Sequence, residues 1–329
     1  MTGRATILFA YSRPARFVEI DREILRERWQ VEEWVQPGRW ASPLGVLRAV
    51  RRADVVVGWF ASWHTFWPIT LAWLLRKPSL LIVGGFDTAA LPGYGYQGRR
   101  LTGTLARWIM RRATRLLTNS EYSRGEIARN IGITDVEVVH HGIPDPFGSL
   151  PEGGREPLAL TVSNVARISL ERKGLRAFVA AAALVPEVEF VLVGQHLDDA
   201  GEQLRSMASP NVRLAGRVSE EELDELYRRA SVYVQASQHE GFGMAVAESM
   251  LAGCIPVVTR AGALPEVVGD VGVWLEDGGP QAIADGVRRA LELGEDQRRR
   301  ARERIATRFP LELRREGLLR LVASLGPRA

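Results

Sequence analysis

Ser231-Val232-Tyr233-Val234-Gln235-Ala236-Ser237, followed after one residue by His239-Glu240-Gly241-Phe242-Gly243-Met244-Ala245-Val246-Ala247-Glu248-Ser249-Met250-Leu251-Ala252-Gly253, carries the decision about the fold. The first run is short, apolar and rich in valine, which predicts a buried strand. The second opens on a Gly-x-Gly turn and runs into good helix formers. Strand, glycine turn and helix in that order place backbone N–H groups and a helix N-terminus at the end of a sheet. Such a setting favours anionic ligands, phosphate above all. Two carboxylates frame the turn, Glu240 on it and Glu248 inside the helix.

The same alternation extends in both directions. Strands are expected at 6–10, 54–57, 80–83, 116–120 and 136–139, with helices at 16–28, 107–115 and 123–130. A Pro/Gly-rich stretch then intervenes, Gly142-Ile143-Pro144-Asp145-Pro146-Phe147-Gly148 and Pro151-Glu152-Gly153-Gly154, and reads as an interdomain linker. Alternation restarts with strands at 158–163, 188–193, 211–214, 231–236 and 255–259. Helices are expected at 174–184, at 219–229 with a Ser219/Glu222 capping box, and finally at 311–325. The fold class is therefore α/β. Two doubly wound, mostly parallel sheets are expected, with a cleft between them lined by the carboxyl ends of their strands.

The chain has 329 residues, enough for two cores, and its 46% hydrophobic and 25% charged content is that of an ordinary globular protein. No apolar stretch approaches the ~20 residues that span a bilayer. The single cysteine, Cys254, fits a reducing compartment, and residues 1–10 do not resemble a signal peptide, so a cytoplasmic location is expected. Charge is uneven: residues 1–150 carry 20 Lys+Arg against 13 Asp+Glu, and the rest 23 against 26. Eight of the nine tryptophans lie in that basic half. Without a nucleic-acid-binding motif, a basic and Trp-rich half suggests an anionic membrane surface rather than nucleic acid. The stretch 99–112 strengthens this, since Leu101, Leu105, Trp108 and Ile109 fall about one face of a helix bearing arginines. A core-packed helix with a solvated arginine face remains the alternative.

A second cluster stands at the restart: Ser163-Asn164-Val165-Ala166-Arg167-Ile168-Ser169-Leu170-Glu171-Arg172-Lys173-Gly174. It reads as a loop that presents Arg167 and Lys173 beside another helix N-terminus. Only two lysines occur in the chain, Lys77 and Lys173, so Lys173 stands out among the arginines. A guanidinium and an ammonium there suit a diphosphate. Both clusters follow strands of one domain and should open on one sheet edge.

Taken together these residues resemble the retaining glycosyltransferases of GT-B fold, family 4 (group 1), which have two facing Rossmann-like domains. The resemblance covers 158–266 and includes Gly216-Arg217-Val218-Ser219, Glu240-Gly241-Phe242-Gly243, Glu248, Pro256-Val257-Val258 and Pro265-Glu266. In the first half it is patchier, at 118–123 and 140–143. It implies an acceptor-side domain at 1–145, a linker at 146–157, a nucleotide-sugar-binding domain at 158–310, and a final helix at 311–329 that packs back on the first domain. Catalysis is implied for Glu240, Arg167 and Lys173, with Asn164, Val218, Gly241, Phe242, Gly243, Met244 and Glu248 binding the donor. The donor is expected to be a UDP- or GDP-linked sugar, with no further cofactor. A glycan or lipid-linked acceptor is expected, at the inner face of the plasma membrane.

Two departures from the family pattern concern the first domain. Tyr11-Ser12-Arg13-Pro14 replaces a glycine-rich loop, and Val83-Gly84-Gly85-Phe86-Asp87 stands where a histidine is usual. Asp87 is therefore an acceptor-side candidate, against a plainer reading as a turn-capping aspartate, and His64 in Trp63-His64-Thr65-Phe66-Trp67-Pro68 is a second, against a packed histidine. No cluster has metal-ligand spacing, so a metal-independent enzyme is expected. The competing functions are a sugar-nucleotide epimerase of the same fold and a non-catalytic sugar-nucleotide-binding subunit.

Overall fold

The computed structural model describes residues 4–36, 38, 42–150 and 154–326. The chain forms two compact units, 1–142 with 311–329 and 143–310. In the first unit the order is β1 (Thr6–Tyr11), α1 (Arg16–Arg26), β2 (Gln30–Val35), α2 (Pro43–Arg52), β3 (Val55–Trp59) and α3 (Trp63–Leu74). It continues through β4 (Ser79–Val83), α4 (Arg100–Met110), β5 (Arg115–Thr118), α5 (Glu121–Ile131) and β6 (Glu137–Val138). The sheet is six-stranded, in the order β2-β1-β3-β4-β5-β6, and every pairing is parallel.

The second unit runs β7 (Glu156–Val162), α6 (Arg167–Arg172), α7 (Leu175–Ala182), β8 (Glu189–Val193), α8 (Ala200–Met207), β9 (Val212–Gly216) and α9 (Glu220–Arg229). Then follow β10 (Ala230–Gln235), α10 (Met244–Leu251), β11 (Ile255–Val258), α11 (Leu264–Val268), β12 (Val273–Trp274), α12 (Pro280–Glu292) and α13 (Glu295–Arg308). This sheet is also six-stranded and parallel, in the order β12-β11-β10-β7-β8-β9. The last helix, α14 (Leu311–Ser324), belongs to the first unit. Two doubly wound parallel sheets are thus what the alternation predicted.

Each sheet is covered on both faces, which is why its central strands are continuous apolar runs. In the second unit β10 is buried along its length, with Val232 and Val234 on one core and Tyr233 on the other. In the first unit one core takes α1 and α14, and the other takes α2, α3, α4 and α5. Of the four edge strands, β6 and β9 fall where strands were expected, and β2 and β12 escaped the sequence reading. β2 reads Gln-Val-Glu-Glu-Trp-Val, with charged residues an edge tolerates, and β12 has only two residues. The expected loop at 163–173 instead contains α6, because Ser169 and Leu170 bury one side of it.

Helix α4 starts earlier than expected and corrects the reading of 99–112. Its inward face is Gly103, Ala106, Ile109 and Met110, so Ile109 is core and not part of an exposed stripe. Leu101 and Trp108 are the apolar residues it leaves in solvent.

Helix α14 is fastened to α1 by a fully buried ion pair. The Arg314 guanidinium donates to both oxygens of Asp21, at 2.9 and 2.6 Å, and to the Val139 carbonyl at 2.6 Å. The Trp59 indole N–H donates to the same carboxylate at 3.1 Å. A buried pair is tolerable when its remaining donors and acceptors are met in this way.

Candidate functional site

Strand β10 ends at Gln235, and the segment 236–243 turns over the carboxyl edge of the sheet before α10 begins at Met244. Neighbouring strands send their loops to the same place. Gly174, with φ +68°, lies so close to the turn that a Cβ there would sit 2.5 Å from the Ala236 carbonyl. Gly262, with φ +62°, passes under Glu240, where a Cβ would come within 2.1 Å of its carbonyl oxygen. The Ala263 N–H donates to that carbonyl at 2.9 Å, and the Gln238 N–H to the Arg172 carbonyl at 2.8 Å. Loops after β7, β10 and β11 are therefore interlocked, and the side chains they carry are held in fixed positions.

At the centre, Lys173 Nζ pairs with Glu240 Oε1. The Gln235 amide donates to the same oxygen at 2.9 Å and the Ser237 hydroxyl at 3.0 Å. Behind them Tyr233 donates to Gln235 Oε1 at 3.1 Å and accepts the Val162 N–H at 3.2 Å. Glu240 is only 9% exposed. Burial pushes its pKa upward, but the Lys173 ammonium, the Ser237 hydrogen bond and the Arg172 charge together hold it below its usual value of 4.5. It stays a carboxylate in a nearly dry place, with its ligands preset. Gln235, Ser237 and Tyr233 were not singled out from sequence. Their signal is that they are polar residues in or just after an otherwise apolar central strand.

The rest of the expected donor set lies on the same unit. Arg167, at the start of α6, is exposed and grips Asp199 with Nε and a terminal nitrogen at 2.5 and 2.6 Å. Its backbone N–H donates to Asp198 at 3.0 Å. The guanidinium holds Asp199 down to a pKa of about 2. Arg167 and Lys173 thus stand at the two ends of α6, each on a different carboxylate, rather than side by side. Asn164 is exposed on the same segment. Gly243 precedes α10, whose first-turn N–H groups lack helical acceptors by construction. Phe242 is buried edge-on against Phe309, so its ring anchors the turn while its backbone crosses the edge. Met244 and Glu248, four residues apart on α10, share a face. Tyr227 donates to Glu248 at 3.3 Å, and that tyrosine is buried and its pKa raised by burial and by the Glu248 charge. Val218 follows β9 and packs partly into the core. Among the described residues no group of three or more His, Cys, Asp or Glu is placed to hold a metal ion.

The two first-unit candidates, Asp87 and His64, are both buried. Asp87 is 1% exposed, and its carboxylate accepts the Ala61 N–H at 2.9 Å and the Gly84 N–H at 3.0 Å. It clasps the loops after β3 and β4, and burial raises its pKa to about 7. His64 contacts the Trp59 carbonyl through Nε2 at 2.5 Å, and burial lowers its pKa. Both Asp87 oxygens and His64 Nε2 are thus engaged by backbone.

The model of glycosyl transferases group 1 matches residues 152–308, and that of glycosyltransferase family 4 matches residues 5–145. The chain is 31% identical over 195 residues to O-antigen chain mannosyltransferase B of Escherichia coli, covering 54% of this chain and 51% of that protein. It is 27% identical over 225 residues to the GDP-mannose:cellobiosyl-diphosphopolyprenol alpha-mannosyltransferase of Xanthomonas campestris, covering 65% and 58%. It spans between 33% and 58% of the length of these and a third curated relative. The structure resembles Anabaena HepE, solved with UDP and glucose, at TM-score 0.77 and 16% identity over 97% of this chain and 100% of that one. It also resembles a sucrose-phosphate synthase from Thermosynechococcus elongatus at TM-score 0.76, with 17% identity over 98% and 99%. Two family models that between them take in both units, together with two six-stranded doubly wound sheets, place the chain among the group 1 glycosyltransferases of GT-B fold.

Proposed function

We propose that the protein is a retaining, metal-independent glycosyltransferase that moves a sugar from a nucleoside-diphosphate donor to an acceptor hydroxyl. The observation that carries this reading is the Lys173–Glu240 pair at the carboxyl edge of the second unit, fixed by Gln235 and Ser237 and approached by the N-terminus of α10. Lys173 and Arg167 turn to the donor diphosphate as its bond to the sugar breaks, meeting the charge that develops there. Glu240, still held by Gln235 and Ser237, takes hydroxyls of the donor sugar. Glu248 takes the ribose hydroxyls, and the backbone at Val218 lies by the base. The acceptor oxygen bonds to the anomeric carbon, and its proton passes to a diphosphate oxygen on the same face, so no protein base is required.

Relatives named for GDP-mannose and for polyprenol-linked or phosphatidylinositol acceptors support a GDP-linked sugar, with UDP next, and a lipid-linked acceptor. Such an acceptor would bring the enzyme to the inner face of the plasma membrane.

A panel of UDP-, GDP- and ADP-sugars tests the reading, with the anomeric configuration of the product read by NMR. Transfer with retention is the expected result. Interconversion of the sugar would make the protein an epimerase, and binding without turnover a non-catalytic subunit. In Lys173→Ala, kcat should fall by about 10²–10³, the usual effect of removing one preorganised charge donor at the reacting centre.

A further inference from the structure

From the composition and exposure of one helical layer of the first unit we infer a docking surface for an anionic lipid membrane, formed by the outer faces of α2, α3 and α4. This rests on the proposed function insofar as that function places the acceptor in a membrane. The three helices pack side by side over one core, α2 against α3 and α3 against α4. None contains an aspartate or glutamate. Between Glu33 and Glu121 the sequence holds two acids, Asp54 and Asp87, against twelve lysines and arginines. Asp87 is buried, and Asp54 accepts the Thr6 N–H at 2.8 Å at the start of the sheet.

What the layer exposes is apolar and cationic together. Leu101 is 85% exposed, Leu74 59% and Trp73 48%, with Trp67 and Trp108 also in solvent. On α3, Trp67 and Leu74 are seven residues apart and so share a face, as do Leu101 and Trp108 on α4. The two faces are joined. The Trp108 indole donates to Thr70 of α3 at 3.4 Å, and the Arg112 guanidinium lies 3.3 Å from the Trp108 ring centre and 4.9 Å from that of Trp73. Arg48, Arg51, Arg76 and Arg100 are exposed, and among the described residues none has an acidic partner within salt-bridge distance.

A solvated surface would not present five large apolar groups beside cations that lack acidic partners. Nucleic acid would match the charge but leaves Leu74 and Leu101 without a use. Tryptophans, leucines and arginines on one face are the composition of a surface that beds into lipid headgroups. No helix among the described residues is long and apolar enough to cross a membrane, so the contact proposed lies in the plane of the leaflet.

The test is sedimentation of the full chain with vesicles of phosphatidylcholine alone or with phosphatidylglycerol, at low and high salt, and with no sugar nucleotide present. The chain should partition onto the anionic vesicles at low salt and shift its tryptophan emission to the blue. Each arginine near the leaflet contributes roughly fivefold at low salt, so the Arg48→Glu, Arg100→Glu double variant should lose on the order of 25-fold or more. The Leu74→Asp, Leu101→Asp variant should lose binding at both salt concentrations. All four positions are exposed, and circular dichroism of the variants should match the parent. Equal partitioning of parent and variants, or none, overturns the inference. So does self-association or polyanion binding through this face without vesicle binding. If vesicle binding fails while transfer to a soluble acceptor persists, only this inference falls; binding without transfer from any donor removes the proposed function instead.

Discussion

At the scale of the residue, Glu240 ties charge to stability. Its pKa in the folded chain lies below the usual 4.5, so folding favours its ionised form. That contribution is complete above about pH 4.5 and is lost as pH falls through the lowered value. Denaturant unfolding at a descending series of pH values should therefore be steeper for the parent than for Glu240→Gln. One group can account for at most about 1.4 kcal/mol per pH unit of that difference. Asp87 gives a contrasting case. Asp87→Asn keeps one acceptor for the two backbone N–H groups and leaves the other unmet, at a cost of about 1–3 kcal/mol. Turnover of the folded variant should stay near that of the parent; a large loss of kcat at unchanged folding would instead put Asp87 against substrate. From sequence, Glu240 was legible because a glycine turn announces it. The depth of Asp87 was not, because an aspartate before a threonine reads the same whether it caps a turn in solvent or clasps two loops in a core.

Among the elements, the central strands and the edges β6 and β9 were legible, and the edges β2 and β12 were not. β3, β4 and β10 must be apolar on both sides, and that leaves an unbroken run in the sequence. β2 is half in solvent and carries Glu32 and Glu33, so nothing in its composition marks a strand. The same limit hid the partners at the site. Arg167 and Lys173 could be picked out, yet the helix between them sends them to Asp199 and Glu240. Those contacts depend on which loops the sheet order makes neighbours. α14 adds a fully buried ion pair to its apolar face. Arg314→Ala would leave the Asp21 charge in the core with only the Trp59 N–H, which should destabilise the first unit by about 3–5 kcal/mol. Thermal unfolding followed by tryptophan fluorescence measures it, and a loss below about 1 kcal/mol would show that the pair is replaceable by water or packing.

For the whole molecule, the repeated alternation of strands and helices was enough to expect two doubly wound sheets, and both formed. What the pattern did not show is which unit each helix serves. Hydrophobic periodicity identifies a buried face without identifying what buries it. The uneven charge and tryptophan of the two halves was also legible, but their concentration on α2, α3 and α4 needed the fold. Leu101 and Ile109 look equivalent on a helical projection of 99–112, and only packing separates the one in solvent from the one in the core.

The first unit is assembled from both ends of the chain, with α14 made after every residue of 143–310. A nascent chain therefore meets its two cores in an unusual order. The second unit is contiguous and has its full complement of elements once Pro310 has been added. The first unit waits, with the surface of α1 around Val18, Ile24 and Leu25 uncovered and the Asp21 carboxylate without its guanidinium. Domains usually close in the order in which they leave the ribosome. Here the segment made before 143–310 is completed only after it, and during that interval its open side is what a holding chaperone or a protease would find.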